Sequence, residues 1–129
     1  MKIHAQLKKV QSLTNQALIA DKCYEAEHFF DRLRGLIGKS SLENGAGMLF
    51  PECNNIHTWF MTMRIDVVFI RKEVTAQGKT SWKISSVHPG VRPWRILPLF
   101  DRQADDTLEL PDGTIERCTL RAGDELCIS

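Results

Sequence analysis

The sequence predicts an α+β fold in which β dominates: one domain, residues 1–129, with a small mixed barrel-like sheet of short strands and one main helix over about 26–37. Three observations carry that expectation. Apolar residues recur at the helical period most clearly from about Ala26 to Ile37. Elsewhere the chain falls into short runs rich in Val, Ile and Phe, separated by turns that contain Gly or Pro. And its 129 residues hold no repeat, low-complexity tract or linker, so the length suits one core without metal or disulfide support.

Taken in order, Gln6–Val10 and Gln16–Ala20 are expected to pair as a hairpin around Leu13-Thr14-Asn15. The helix follows. Phe29, Phe30, Leu33, Leu36 and Ile37 line one face at the 3.6-residue period, with Glu25 and Glu27 at the positive end and Lys39 beyond the negative end. Gly38 suits a left-handed stop. A polar loop over 40–47 leads to a short buried strand, Gly47–Phe50, stopped by Pro51. Ile56–Met61 and Ile65–Lys72 read as strands from their Val, Ile and Phe content. Ala76–Lys79 is a turn that returns Ser81–Val87 against the second of these. Pro89, Pro93 and Pro98 are expected to break the chain into an irregular segment. Thr107–Leu110 is a strand ended by the Pro111-Asp112-Gly113 turn, and Glu125–Ile128 follows the Gly123-Asp124 turn.

Composition narrows the function classes. A net charge of +1 supplies no field to attract nucleic acid or an anionic membrane, so neither partner is expected. The four cysteines, Cys23, Cys53, Cys118 and Cys127, form no CxxC pair and read as reduced thiols rather than a disulfide framework. The first residues contain no apolar stretch of signal-peptide or membrane-spanning length, and a cytoplasmic location is expected.

The stretch Cys53–Ile70 concentrates the chemistry. Cys53 and His57 stand at a spacing that zinc accepts, but no second close pair of ligands accompanies them. Cys53, His57 and Asp66 also supply the residue types of a nucleophile, a base and an orienting carboxylate, without a nucleophile elbow around Cys53. His57, Trp59 and Met61 share one face of the expected strand, Met61 as packing and His57 as either a rim histidine or a ligand contact. Asp66 opens a core strand, where an unpaired carboxylate is costly. It is expected to find an arginine (Arg32, Arg34, Arg64 or Arg95) or a backbone N–H. Trp94, between Pro93 and Arg95, either stacks on a ligand or staples its loop to the barrel.

Several motifs in order resemble the domain-of-unknown-function 192 family: Arg32-Leu33-Arg34-Gly35-Leu36, Gly47-Met48-Leu49-Phe50, Ile56–Met61 leading to Ile65-Asp66-Val67-Val68-Phe69, Arg92-Pro93-Trp94-Arg95, Leu108–Thr114 and Gly123-Asp124. The resemblance runs from about Ala17 to Ile128. It implies a β-rich single domain of bacterial and archaeal type and no particular activity. Arg64 stands where the family often has a small apolar residue or Pro, and Asp112 where it commonly has Ala.

The resulting expectation is a non-catalytic module binding a small molecule or protein, without a cofactor. Its pocket is placed near His57, Thr58, Met61 and Asp66, with Arg32, Trp94 and Arg95 as neighbours. A small thiol- or metal-dependent hydrolase using Cys53, His57 and Asp66 is the competing expectation.

Overall fold

In the computed structural model, which describes residues 7–25, 44–56, 63–92 and 98–129, seven strands close into a barrel. In chain order the strands are β1 (Leu7–Ser12), β2 (Leu18–Glu25), β3 (Ala46–Phe50), β4 (Asn55–Ile56), β5 (Ile65–Val74), β6 (Thr80–Val91), β7 (Leu99–Phe100), β8 (Asp106–Pro111) and β9 (Glu125–Ile128). One short helix, α1 (Thr114–Cys118), lies between β8 and β9. The barrel runs β1-β2-β3-β8-β5-β6-β9 and closes where Val10 pairs with Ile128. Every neighbouring pair is antiparallel except β2 with β3. β4 and β7 form a separate two-stranded sheet. The fold is therefore mostly β, and the helix expected over 26–37 falls outside the described residues, as does the expected strand beyond Ile56.

The apolar residues divide into two layers. One draws from every barrel strand, among them Val10, Ile19, Leu49, Val68, Ile84, Leu108 and Leu126, and so fills the interior. The helix α1 joins it through Ile115 and Cys118. The other comprises Met48, Phe50, Ile56, Met63, Ile65, Val67, Phe69, Val91 and Ala104, and covers the outside of β3, β8, β5 and β6. Strand neighbours face opposite sides, so a strand buried on both sides needs an unbroken apolar run. That explains Val67–Ile70 of β5; all six residues from Ile65 to Ile70 are buried, the polar Asp66 among them.

Gly47 reflects the tight fit of β3 on β8. A Cβ there would lie 3.1 Å from Leu110 Cδ2 and 3.3 Å from the carbonyl oxygen of Glu109.

Strand β6 differs from expectation in length. The break foreseen at Pro89 does not occur, and β6 continues to Val91. The reason is a pair of bulges. The register passes from Ile65↔Val91 to Val67↔His88, and from Phe69↔Ser86 to Ile70↔Ile84, so β6 carries one extra residue each time. At the first bulge Pro89 and Gly90 oppose Asp66, and a bulge is where a strand tolerates the missing proline N–H. Gly90 there has φ +59°.

Candidate functional site

Asp66 shares its side of β5 with Val68 and is fully buried. Its Oδ1 accepts the Gly90 N–H at 2.9 Å and its Oδ2 accepts the Ile115 N–H at 2.7 Å. Of the two partner types expected, the described residues supply the backbone one. The carboxylate takes up the N–H that the bulge releases from the ladder and one of the first-turn N–H groups that a helix leaves unpaired. One side chain thereby fixes both the β6 bulge and the seat of α1.

Cys53 lies on the other side of the sheet, against the outer apolar layer. Its thiol donates to the Asn55 carbonyl at 3.0 Å, and its own carbonyl accepts the Thr107 hydroxyl at 2.6 Å. Cys53 and Asp66 are thus not brought together. Cys23 and Cys118 are buried in the barrel interior. Burial, with the Glu25 charge adding to it and Lys8 opposing, pushes the Cys23 thiol up to about 12. Burial raises Cys118 as well, against the Arg117 charge. Among the described residues no group of three or more His, Cys, Asp or Glu is arranged to hold a metal ion. His57, Thr58, Met61, Arg32, Trp94 and Arg95 lie outside the described residues.

A polar network not foreseen in the sequence runs along the outer side of β6. The bulge at Ser85 turns two consecutive side chains to one side, where a regular strand would oppose them. The hydroxyls of Ser85 and Ser86 both donate to Asp101 Oδ2, each at 2.7 Å. Ser86 Oγ also lies 3.0 Å from His88 Nε2. A hydroxyl carries one proton; with it given to Asp101, His88 supplies its own Nε2–H to Ser86 Oγ. Burial works to raise the Asp101 carboxyl. The two serines, the Gln103 N–H and the His88 charge outweigh it and hold that carboxyl below its usual range. The His88 ring meets Phe69 edge-on, with centroids 5.5 Å apart.

Beside this network lies an open depression of about 360 Å³, lined by Val87, His88, Pro89, Val91, Arg92 and Leu99. Described residues on either side of positions 57–62 and 93–97 fall in this region. Ile56 and Met63 flank the first and both belong to the outer layer. Arg92 precedes the second, Leu99 follows it one residue on, and both line the depression.

Glu109 is the second feature that sequence reasoning missed. It alternates with the interior residues Leu108 and Leu110, so it faces the outer layer, with Met48 and Val67 as its cross-strand partners. It is 3% exposed, and Oε2 has no hydrogen-bond partner among the described residues. Burial alone pushes its carboxyl up to about 8. The signal in the sequence was a glutamate between two leucines in a strand whose other side is also covered.

The family model of DUF192, described as "Uncharacterized ACR", matches residues 10–128. The chain belongs to that family. No curated protein matches it. Two solved structures share the DUF192 chain's fold. One, from Sinorhizobium meliloti 1021 and described as a "putative transcription regulator", is 19% identical with a TM-score of 0.77, covering 98% of this chain and 95% of the other. The second is a protein of unknown function from Novosphingobium aromaticivorans DSM 12444, 16% identical with a TM-score of 0.74, covering 95% of this chain and 84% of the other. At these identities the likeness concerns the fold alone. No helix among the described residues is long and apolar enough to cross a membrane.

Proposed function

We propose that this DUF192 chain is a non-catalytic binding module whose ligand, a small molecule or a segment of a protein, docks on the outer side of β5 and β6. The observation that carries the reading is the depression lined by apolar Val87, Pro89, Val91 and Leu99 together with His88 and Arg92. Sites of this kind combine apolar walls with a few placed polar groups. His57, Thr58 and Met61 are included because the described residues on either side of them, Ile56 and Met63, belong to the outer layer, and Trp94 and Arg95 because Arg92 and Leu99, on either side of them, line the depression. Arg32 is the remaining contributor expected from the sequence. Asp66 takes part as the residue that positions the bulge carrying Pro89 and Gly90.

The chemistry of the described residues favours binding over hydrolysis. The Ser86 proton is given to Asp101 rather than to the His88 imidazole, and the Cys53 thiol is committed to a carbonyl. The Asp66 carboxylate, the orienting group a Cys53–His57 hydrolase requires, spends both oxygens on backbone N–H groups.

The test is a thermal-shift screen of a diverse metabolite set, run on wild type and on His88→Gln. Compounds that raise the wild-type melting temperature are expected to lose most of that effect in the variant. Ester or peptide hydrolysis by wild type that disappears in Cys53→Ala contradicts the reading.

A further inference from the structure

The outer layer contains one group that conflicts with its surroundings. Glu109 is buried, its Oε2 is unpartnered among the described residues, and its two cross-strand neighbours are Met48 and Val67. A carboxylate in such a place has lost its water and gained nothing in exchange, so the site tolerates the neutral acid and rejects the anion. Over the same layer lies the β4–β7 sheet, which contributes Ile56 directly and packs Leu99 against it. Among the described residues that cover is held by two residue pairs, Asn55↔Phe100 and Ile56↔Leu99, and by the Asp101 N–H donating to the Asn54 carbonyl. Beneath it the β5–β8 ladder has six pairs. A separate two-stranded sheet is marginal beside a closed barrel, so when the layer must give way the cover yields first.

We propose that Glu109 makes this outer face proton-gated: with Glu109 as the neutral acid the β4–β7 cover lies closed on the sheet, and loss of that proton lifts the cover and opens the layer beneath it. The charged and titratable groups nearby on the described elements do not relieve the conflict. β3 and β5 present Met48 and Val67, and β8 itself presents Thr107 and Pro111 two residues to either side. On the cover side stand Asn55, Ile56, Leu99 and the Cys53 thiol, which is bound to the Asn55 carbonyl. His88 lies beyond Val67 and holds Ser86, and Asp101 is engaged by Ser85, Ser86 and Gln103.

The direction follows from linkage. In the open state Glu109 titrates as an ordinary solvated glutamate, at 4.5, and in the closed state at about 8. Between those values closing takes up one proton, so the closed-to-open ratio falls about tenfold per pH unit and levels off above the upper value. The gate bears on the binding face proposed above, because the depression borders the same layer. The gate itself is a property of the free chain, and its test uses no ligand.

The experiment is amide hydrogen exchange on the free protein from pH 5 to 9, corrected for base-catalysed intrinsic exchange, in wild type and Glu109→Gln. In wild type, protection of the β4 and β7 amides is expected to fall about tenfold per pH unit before levelling off, with the β5–β8 ladder retained. In Glu109→Gln it is expected to stay constant with pH. An identical decline in the variant, no decline in wild type, or an equal loss throughout the barrel overturns the proposal. If the variant does not fold, carbon-13 titration of the wild-type Glu109 carboxyl decides. A midpoint near that of a solvated glutamate overturns the gate, and one far above it supports the gate. A screen that finds no ligand leaves these outcomes unchanged, so the gate and the binding reading fail separately.

Discussion

Asp66→Asn removes one of two charge-assisted hydrogen bonds while keeping the shape of the side chain. The wild-type carboxylate accepts from Gly90 at 2.9 Å and from Ile115 at 2.7 Å, and it has no exposure to water. Hydrogen bonds to a charged group contribute about 1.5–3 kcal/mol each. The asparagine has one acceptor oxygen, so its amide NH2 must face the other backbone N–H, donor against donor. The expected loss is about 2–4 kcal/mol, from the missing bond together with the buried N–H left unpaired. At roughly 3–5 °C per kcal/mol for a chain of this size, the melting temperature should drop by about 6–20 °C. Urea unfolding of wild type and variant measures the free energy, and hydrogen exchange locates it: Gly90 and Ile115 should lose protection before the β5–β8 ladder does. A change within about 0.5 kcal/mol, the range of an ordinary surface substitution, refutes the claim that Asp66 ties the bulge to α1.

Three further outcomes are expected. Ser85→Ala with Ser86→Ala takes both hydroxyls from Asp101, so an NMR titration should find its carboxyl moved up toward the ordinary aspartate range. In wild type the depressed carboxyl contributes stability that is present above the unfolded value of 3.8 and lost as pH falls through the folded value beneath it; the double variant should lack that extra acid sensitivity. Native-state alkylation followed by mass spectrometry should label the exposed Cys127 while the buried Cys23, pushed up to about 12, stays unlabelled until the barrel unfolds. His57→Ala should keep stability within about 1 kcal/mol as judged by urea unfolding if the histidine belongs to the proposed site rather than to the core; a loss of several kcal/mol assigns it to packing.

How much of this was legible depends on whether the determinant is local. The Ile65–Ile70 run, the turn leading into β6, the Thr107–Leu110 strand and the Gly123-Asp124 turn were readable because apolar content and turn chemistry are written in consecutive residues. Barrel closure was not, since it depends on β9 meeting β1 and β6 through Val10↔Ile128 and Trp82↔Leu126. The helix α1 escaped for a similar reason. Five residues cannot hold a helix by propensity, and this one is held by Asp66, 49 positions earlier. The bulge in β6 carries no sequence period of its own, so Ser85 and Ser86 read as a strand's alternating pair instead of two hydroxyls on one carboxylate. Asp66 was legible as far as its need for a partner, because burial makes that need general. Glu109 was not, because which side of a strand is covered is a property of the assembled sheet.

The central claim, that the outer side of β5 and β6 is the working face of this DUF192 chain, is tested most directly by amide chemical-shift mapping with the first compound that stabilises the protein. The account predicts the largest perturbations at His88, Val91, Arg92, Leu99 and Asp101, with β1, β2 and α1 little changed. Perturbations centred on β1, β2 or α1, with the His88 region silent, would contradict it.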